Sequence, residues 1–145
     1  MSSLPYVKNF RDLVVYQKAR RLARKIFEIT ARFPKEEMFA LTDQVRRSSR
    51  SIGAQIAEAW AKRRYERHFL SKLTDADGEQ QETQHWIETA VDCGYVGKDE
   101  SLLLLEQCEE IGRLLGGMMA KSEMFCSTSS KIIREEAVEY FVTQD

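Results

Sequence analysis

Apolar residues recur at intervals of three and four along four stretches of the chain, which is the spacing of helices with one buried face. The clearest stretch covers about 99–125. Two lines repeat there every seven residues: Leu104, Ile111, Met118 and Phe125, with Cys108, Leu115 and Ser122 beside them. Gly112 and Gly116 share one face of this helix, so we expect a neighbouring backbone to approach closely there.

Three further helices are predicted before this one. The first, over about 9–32, has a seam typical of lengthwise helix packing: Val15, Ala19, Leu22, Ile26, Ile29 and Phe33. The second, over about 42–63, has a narrow stripe of apolar and small residues: Val45, Ser49, Ile52, Ile56 and Ala59. The third, over about 65–92, has an inner face that is polar in its middle: Phe69, Leu73, Ala76, Gln80, Thr83, Ile87 and Ala90.

Turn and capping residues separate these stretches. Asn9 followed by Asp12 is typical of a helix N-cap with an acidic first turn. Pro34 disfavours helical geometry at the residue before it and so ends the first helix. Gly94 suits a helix C-cap. The connections between the predicted helices are therefore short.

Four helices with short connections predict an all-α, up-down-up-down antiparallel four-helix bundle over residues 9–126. Residues 1–8 are an N-terminal arm, and residues 127–145 are a C-terminal tail that starts with a Ser-Thr-Ser-Ser spacer. The apolar positions of the tail fit one stripe of a short helix: Ile132, Ile133, Ala137, Val138 and Phe141. We expect Met38 and Phe39 to close one end of the bundle core.

Several charged residues lie close to the apolar stripe of the second helix. If the second and third helices form a hairpin that turns near position 64, residues whose numbers sum to about 128 lie level. We therefore predict that Arg46 or Arg47 pairs with Glu82, assisted by Gln44 or Gln81. The full polar layer is predicted to comprise Gln44, Arg46, Arg47, Arg50, Glu58, Asp77 and Glu82.

The net charge of -1 conceals a strong asymmetry along the chain. Residues 1–72 carry 17 Lys and Arg against 7 Asp and Glu, whereas residues 73–145 carry 5 against 16. Either the two halves pair with each other, or the basic half faces a polyanion while the acidic half faces away. Head-to-tail contacts between subunits would use the same complementarity.

Cysteine use and hydropathy indicate in which cellular compartment the protein is expected. Three cysteines without a Cys-x-x-Cys pair fit reduced thiols better than a disulfide framework. The chain has neither an apolar run long enough to span a membrane nor the apolar core of a signal peptide at its start. We expect a cytoplasmic protein with no membrane partner.

The stretches Ser51-Ile52 and Ile56-Ala57-Glu58 behind the Arg46-Arg47 pair carry a family resemblance. They resemble a signature of the four-helix bundle proteins encoded in intervening sequences of 23S ribosomal RNA genes. The resemblance covers about residues 9–126, and Phe10 to Ala19 is similar to the opening of that family.

This resemblance implies a four-helix bundle that assembles into a ring-shaped homopentamer. A related branch, the accessory proteins of diversity-generating retroelements, forms a basic pentameric barrel that binds nucleic acid and a reverse transcriptase. The present chain lacks the strong net positive charge of that barrel.

Glu82 and His85 form a Glu-x-x-His step, as found in di-iron bundles. A complete site needs a second such step and two more glutamates. The other histidine, His68, has Glu66 two positions before it and not three, so no second step exists. We expect Glu82 to be an arginine partner and predict no metal, cofactor, small-molecule substrate or catalytic residue.

A basic cluster at the turn between the second and third helices is the candidate nucleic-acid site: Lys62, Arg63, Arg64 and Arg67. These cations would contact phosphates, while Trp60 and Tyr65 would stack on bases. The alternative places both tryptophans, Trp60 and Trp86, in the core or at subunit contacts.

Two hypotheses follow. The first is a non-enzymatic, homo-oligomeric assembly protein with its self-association surface on the second and third helices. The second is an accessory protein that binds RNA or DNA through the cluster at 62–67.

Overall fold

The computed structural model describes residues 8–126, and within this range the chain is all-helical. The five α-helices are α1 (Val14–Thr30), α2 (Asp43–Ala61), α3 (Glu66–Asp92), α4 (Lys98–Ala120) and α5 (Ser122–Cys126). The predicted C-terminal tail, and all of the predicted arm except Lys8, lie outside the described residues.

The start of the first helix differs from the prediction. The Asn9 side chain accepts a hydrogen bond from the amide of Arg11 at 2.8 Å, and Asp12 accepts one from the amide of Asn9 at 3.3 Å. This predicted cap therefore exists, but it closes a single 3-10 turn over Phe10–Asp12. The α-helix begins only at Val14.

Each long helix contacts two neighbours: α1 packs against α2 and α4, and α3 packs against α2 and α4. Residue numbers rise along one helix as they fall along its neighbour. In α2 and α3, for example, Ser48 contacts Thr83 whereas Glu58 contacts Lys72. At the seam of α1 and α4, an ion pair of 3.2 Å joins Lys18 of the basic half to Glu110 of the acidic half.

The core follows the predicted lines closely. Every predicted inner position of α3 is buried, as are both lines of the fourth stretch. The fourth stretch nevertheless divides at Lys121, so that Phe125 reaches the core from α5.

The prediction that Met38 and Phe39 close the core is wrong. The Phe39 side chain is 81% exposed and that of Met38 is 38% exposed. Both lie in a π-helical turn, Met38–Thr42, which directs Leu41 and Thr42 inward instead. Val96 is buried at this end of the molecule.

Candidate interaction surfaces

A pair of hydroxyl groups forms the buried polar contact between α2 and α3. Ser48 Oγ and Thr83 Oγ1 are 2.9 Å apart, and both residues are at most 1% exposed. Thr83 donates its proton to the carbonyl oxygen of Glu79 at 2.8 Å, so Ser48 is the donor between the two hydroxyls; Ser48 Oγ also lies 3.3 Å from the carbonyl oxygen of Val45. The polar middle of α3 predicted from sequence is therefore satisfied by a small neutral contact.

The partner predicted for Arg46 is wrong. Its Nε donates to Thr30 Oγ1 at 2.8 Å, and its guanidinium carbon lies 4.6 Å from the centre of the Phe27 ring. Both partners belong to α1, whereas Glu82 lies in α3. Arg50, which was assigned to the same layer, also lies over Phe27, at 5.5 Å.

Glu82 has a local partner, because the indole Nε1 of Trp86 donates to its carboxylate at 3.0 Å. Arg47 donates to Gln44 at 3.3 Å, a contact within α2 and not the predicted assistance to a pair with Glu82. Within residues 8–126, no ion pair joins Glu82 to an arginine.

A cluster of carboxylates on α3 faces the exposed side of α2. Burial raises the pKa of Glu79, and the neighbouring charges of Glu82 and Asp75 raise it further, while Arg47 opposes the rise. The charge of Arg47 therefore acts on Glu79, which lies one helical turn from Glu82, the carboxylate predicted to pair with an arginine.

The remaining members of the predicted layer contact other residues. Glu58 pairs with Lys72 at 3.3 Å. Asp77 accepts hydrogen bonds from the side-chain amides of Gln80 and Gln81 at 2.9 and 3.0 Å. The predicted single layer is therefore distributed over three helix faces.

Gly112 lets a side chain, and not a neighbouring backbone, approach α4. A Cβ placed on Gly112 would be 2.8 Å from Gln80 Nε2. Gln80 is 4% exposed and receives a hydrogen bond from the Gln84 amide at 2.8 Å. Among residues 8–126, no atom of a neighbouring element lies within 4 Å of the corresponding position at Gly116, so the predicted close approach of a backbone is found at neither glycine.

The basic turn cluster is not uniform. Lys62, Arg64 and Arg67 are exposed. Arg63 instead stacks on Trp60, with its guanidinium carbon 3.6 Å from the ring, and burial lowers its pKa. Arg63 Nη1 is buried without a hydrogen-bond partner in the described structure. This cluster therefore offers three exposed cations, of which Arg64 lies 5.9 Å from the centre of the Tyr65 ring, and Trp60 is a buried anchor.

A groove of about 530 Å³ runs between the outer faces of α1 and α2, and we call it the α1/α2 groove. Six of the residues that line it are small, and we call them its floor: Ala19, Ala23, Ser49, Gly53, Ala54 and Ala57. Its ends and rim are aromatic and basic: Phe10, Tyr16, Phe27, Arg20, Arg24 and Arg50. The sequence did not predict this site, although the small residues Ala23, Gly53, Ala54 and Ala57 beside the two inner lines were a signal.

Large apolar side chains are exposed at the end of the molecule where α1 finishes and α4 starts. Phe39 is 81% exposed, and Leu102 and Leu103 are 62% and 63% exposed. Glu37, two residues before Phe39, accepts a hydrogen bond from Tyr95 at 2.8 Å. Glu100, two residues before Leu102, pairs with Arg32 at 3.0 Å. Both contacts lie at the end of the molecule where α1 finishes.

Reactive groups are few in the part of the chain that the structure describes. No cluster of three or more His, Cys, Asp or Glu side chains in residues 8–126 is placed to hold a metal ion. His85 packs edge-on against Trp86, at 4.7 Å between ring centres. None of the described helices combines the length and hydropathy needed to cross a membrane.

The described cysteines are free thiols. Burial raises the pKa of Cys108 to about 12. Burial also raises the pKa of Cys126 to about 11, with a further rise from Glu66 and an opposing effect of Arg63. These two thiols are poor nucleophiles at neutral pH because the thiolate is the reactive form.

Comparisons with known proteins agree on one family. A family model described as 23S rRNA-intervening sequence protein matches residues 11–117. The chain is also similar to a solved structure from Bacteroides thetaiotaomicron VPI-5482, described as a protein with unknown function from the S23 ribosomal protein family. The sequence identity is 28% and the TM-score 0.65, over 73% of this chain and 98% of that chain. No curated protein matches the chain.

Proposed function

The chain belongs to the 23S rRNA-intervening sequence protein family, and from this premise we propose that it is a non-enzymatic, homo-oligomeric interaction protein of the cytoplasm. The resemblance seen in the sequence is thereby confirmed. We further propose that residues 9–126 form one up-down-up-down antiparallel four-helix bundle. The pairwise contacts between neighbouring helices support that topology.

The observation that carries self-association is the exposure of three large apolar side chains at one end of the molecule, Phe39, Leu102 and Leu103. Large apolar side chains are costly to leave in water, and their exposure marks contact surfaces. The self-association surface predicted from sequence lay along α2 and α3; we propose instead the turn before α2 and the start of α4. A second copy of the chain is the proposed partner, and five subunits is the number that the family resemblance implies.

Light scattering coupled to size-exclusion chromatography tests this proposal. The wild-type protein should have about five times the mass of one chain, and a Phe39→Ser, Leu102→Ser, Leu103→Ser variant should have a lower mass. Tyr65→Ser is the matched control, because Tyr65 is 59% exposed in the turn between α2 and α3, at the opposite end. A wild-type protein with the mass of a single chain would overturn the proposal.

Nucleic-acid binding is the second candidate function, and the exposure of Lys62, Arg64 and Arg67 favours it. Binding through these cations would weaken as salt is added, because each neutralised phosphate releases counterions. Fluorescence anisotropy with structured RNA and single-stranded DNA measures this. The candidate fails if no salt-sensitive binding appears near physiological ionic strength, or if Arg64→Ala, Arg67→Ala binds as tightly as wild type.

A further inference from the structure

We propose that the α1/α2 groove is the docking site for residues 131–142 of the same chain. The groove is open along one side of the molecule, and its floor carries side chains no larger than that of serine for most of its length. Such a floor lets another helix approach closely, because interaxial distance is set by the side chains at the contact.

The dimensions of the groove and the segment agree. Tyr16 and Phe27 line the groove from opposite halves of α1 and are separated by eleven residues, about 17 Å of helical rise. Residues 131–142 would extend about 18 Å as a helix. Their apolar positions, including Val138 and Phe141, supply the side chains that a floor of small residues can accommodate.

The chain leaves the described region at the correct end of the groove. Cys126 lies beside Arg63 and Glu66, and Ser122 donates a hydrogen bond to the Glu66 carboxylate. Ala57 lines the groove four residues before α2 ends at Ala61, a rise of about 6 Å, and Arg63 follows in the next turn. The spacer at 127–130 reaches about 13 Å when extended, which is longer than that rise.

The charges are complementary. Arg20, Arg24 and Arg50 line the groove. Residues 131–142 carry three acidic residues, Glu135, Glu136 and Glu139, against two basic ones, Lys131 and Arg134. The segment is therefore net acidic by one charge, and its glutamates lower the repulsion among the arginines when it lies in the groove.

Cysteine cross-linking in the full-length chain tests the proposal. Cys93→Ser and Cys126→Ser remove the more accessible native thiols, and Ala23→Cys with Val138→Cys places one thiol on the floor and one in the segment. A short bismaleimide should then join the two within a single chain, as peptide mapping and denaturing gels report. Ala120→Cys, an exposed position of α4, replaces Ala23→Cys in the control, which should cross-link several-fold less.

The outcomes separate the possible occupants. A product with the mass of two chains would assign the groove to the segment of a second copy and overturn the proposal. Equal yields for the groove and control variants would overturn it as well.

A second measurement uses a variant that changes no residue of α1 to α5. Phe141→Asp should raise hydroxyl-radical oxidation of Tyr16 and Phe27 several-fold while leaving that of Tyr65 unchanged. Unchanged oxidation at Tyr16 and Phe27 would count against docking. The same variant should keep the wild-type mass in light scattering, so failure of this inference is distinguishable from failure of the proposed self-association.

Discussion

Replacing Gly112 by alanine should stabilise the protein far less than the same replacement at Gly116, although both glycines lie inside α4. Alanine at an exposed helix-interior position is worth about 1 kcal/mol relative to glycine. At Gly116 no atom of another described element lies within 4 Å of the new methyl group, so we expect that full gain. At Gly112 the methyl group would be 2.8 Å from Gln80 Nε2 and 3.4 Å from Asp77 Oδ1.

The cost at Gly112 comes from the buried amide of Gln80. This side chain is the flexible end that must move, yet its Nε2 donates to Asp77 at 2.9 Å and only 4% of the residue is exposed. Breaking such a bond and leaving a buried polar group unpaired costs about 1–3 kcal/mol. Gly112→Ala should therefore change the free energy of unfolding by between about zero and a loss of 2 kcal/mol. The two alanine variants should differ by about 1–3 kcal/mol.

Urea unfolding followed by far-UV circular dichroism measures these differences. All variants are compared at one protein concentration, because association makes apparent stability concentration-dependent. A third comparison introduces Gly112→Ala into a Gln80→Ala background, where the obstacle is gone and the gain of about 1 kcal/mol should return. If Gly112→Ala in the wild-type background stabilises as much as Gly116→Ala, Gln80 moves freely and the reasoning is refuted.

Three further predictions concern single side chains. Arg46→Ala should lower the free energy of unfolding in urea by about 1–2 kcal/mol, because its hydrogen bond and aromatic contact with α1 are lost. Arg47 is exposed, so Arg47→Ala should change this free energy by less than about 0.5 kcal/mol. Equal losses in the two variants would contradict the assignment. Burial is the main cause that raises the pKa of Cys126 to about 11, so about one-thousandth of this thiol should be thiolate at pH 8. Iodoacetamide should therefore alkylate Cys126 about a hundred-fold more slowly than a thiol of pKa 9.0, as mass spectrometry measures. The hydrogen bond to Glu37 raises the pKa of Tyr95 from 10.0 to about 12, so the stabilising contribution of this bond is complete below pH 10 and lost as the pH rises through 12. Ultraviolet titration should show a late-ionising tyrosine that Tyr95→Phe removes. If Tyr95→Phe leaves the titration unchanged, the assignment is refuted.

The inner faces of the helices could be predicted because helical periodicity is a local property. Every inner position proposed for α3, from Phe69 to Ala90, is buried, and Gly94 adopts the positive φ of 77° that a C-cap requires. The exceptions are also local in origin. The turn at Met38–Thr42 takes π-helical geometry, which changes which side chains face inward, and α4 ends one residue before Lys121.

The partners of the arginines could not be predicted by matching positions in a hairpin. The register of α2 and α3 was close to correct, since Ser48 meets Thr83. Arg46 nevertheless extends toward α1, because a long side chain at the edge of a helix can reach either neighbour. The choice depends on which neighbour supplies an aromatic face and a hydroxyl, here Phe27 and Thr30.

The chain's own sequence thus determined which residues are buried within each helix and which family the protein belongs to, because both depend on short-range spacing and motifs. Tertiary structure decided where the polar side chains find partners, where apolar side chains remain in water, and that small residues of α1 and α2 line a groove. Those features require two helices to be placed side by side. Spacing along one helix carries no information about that distance.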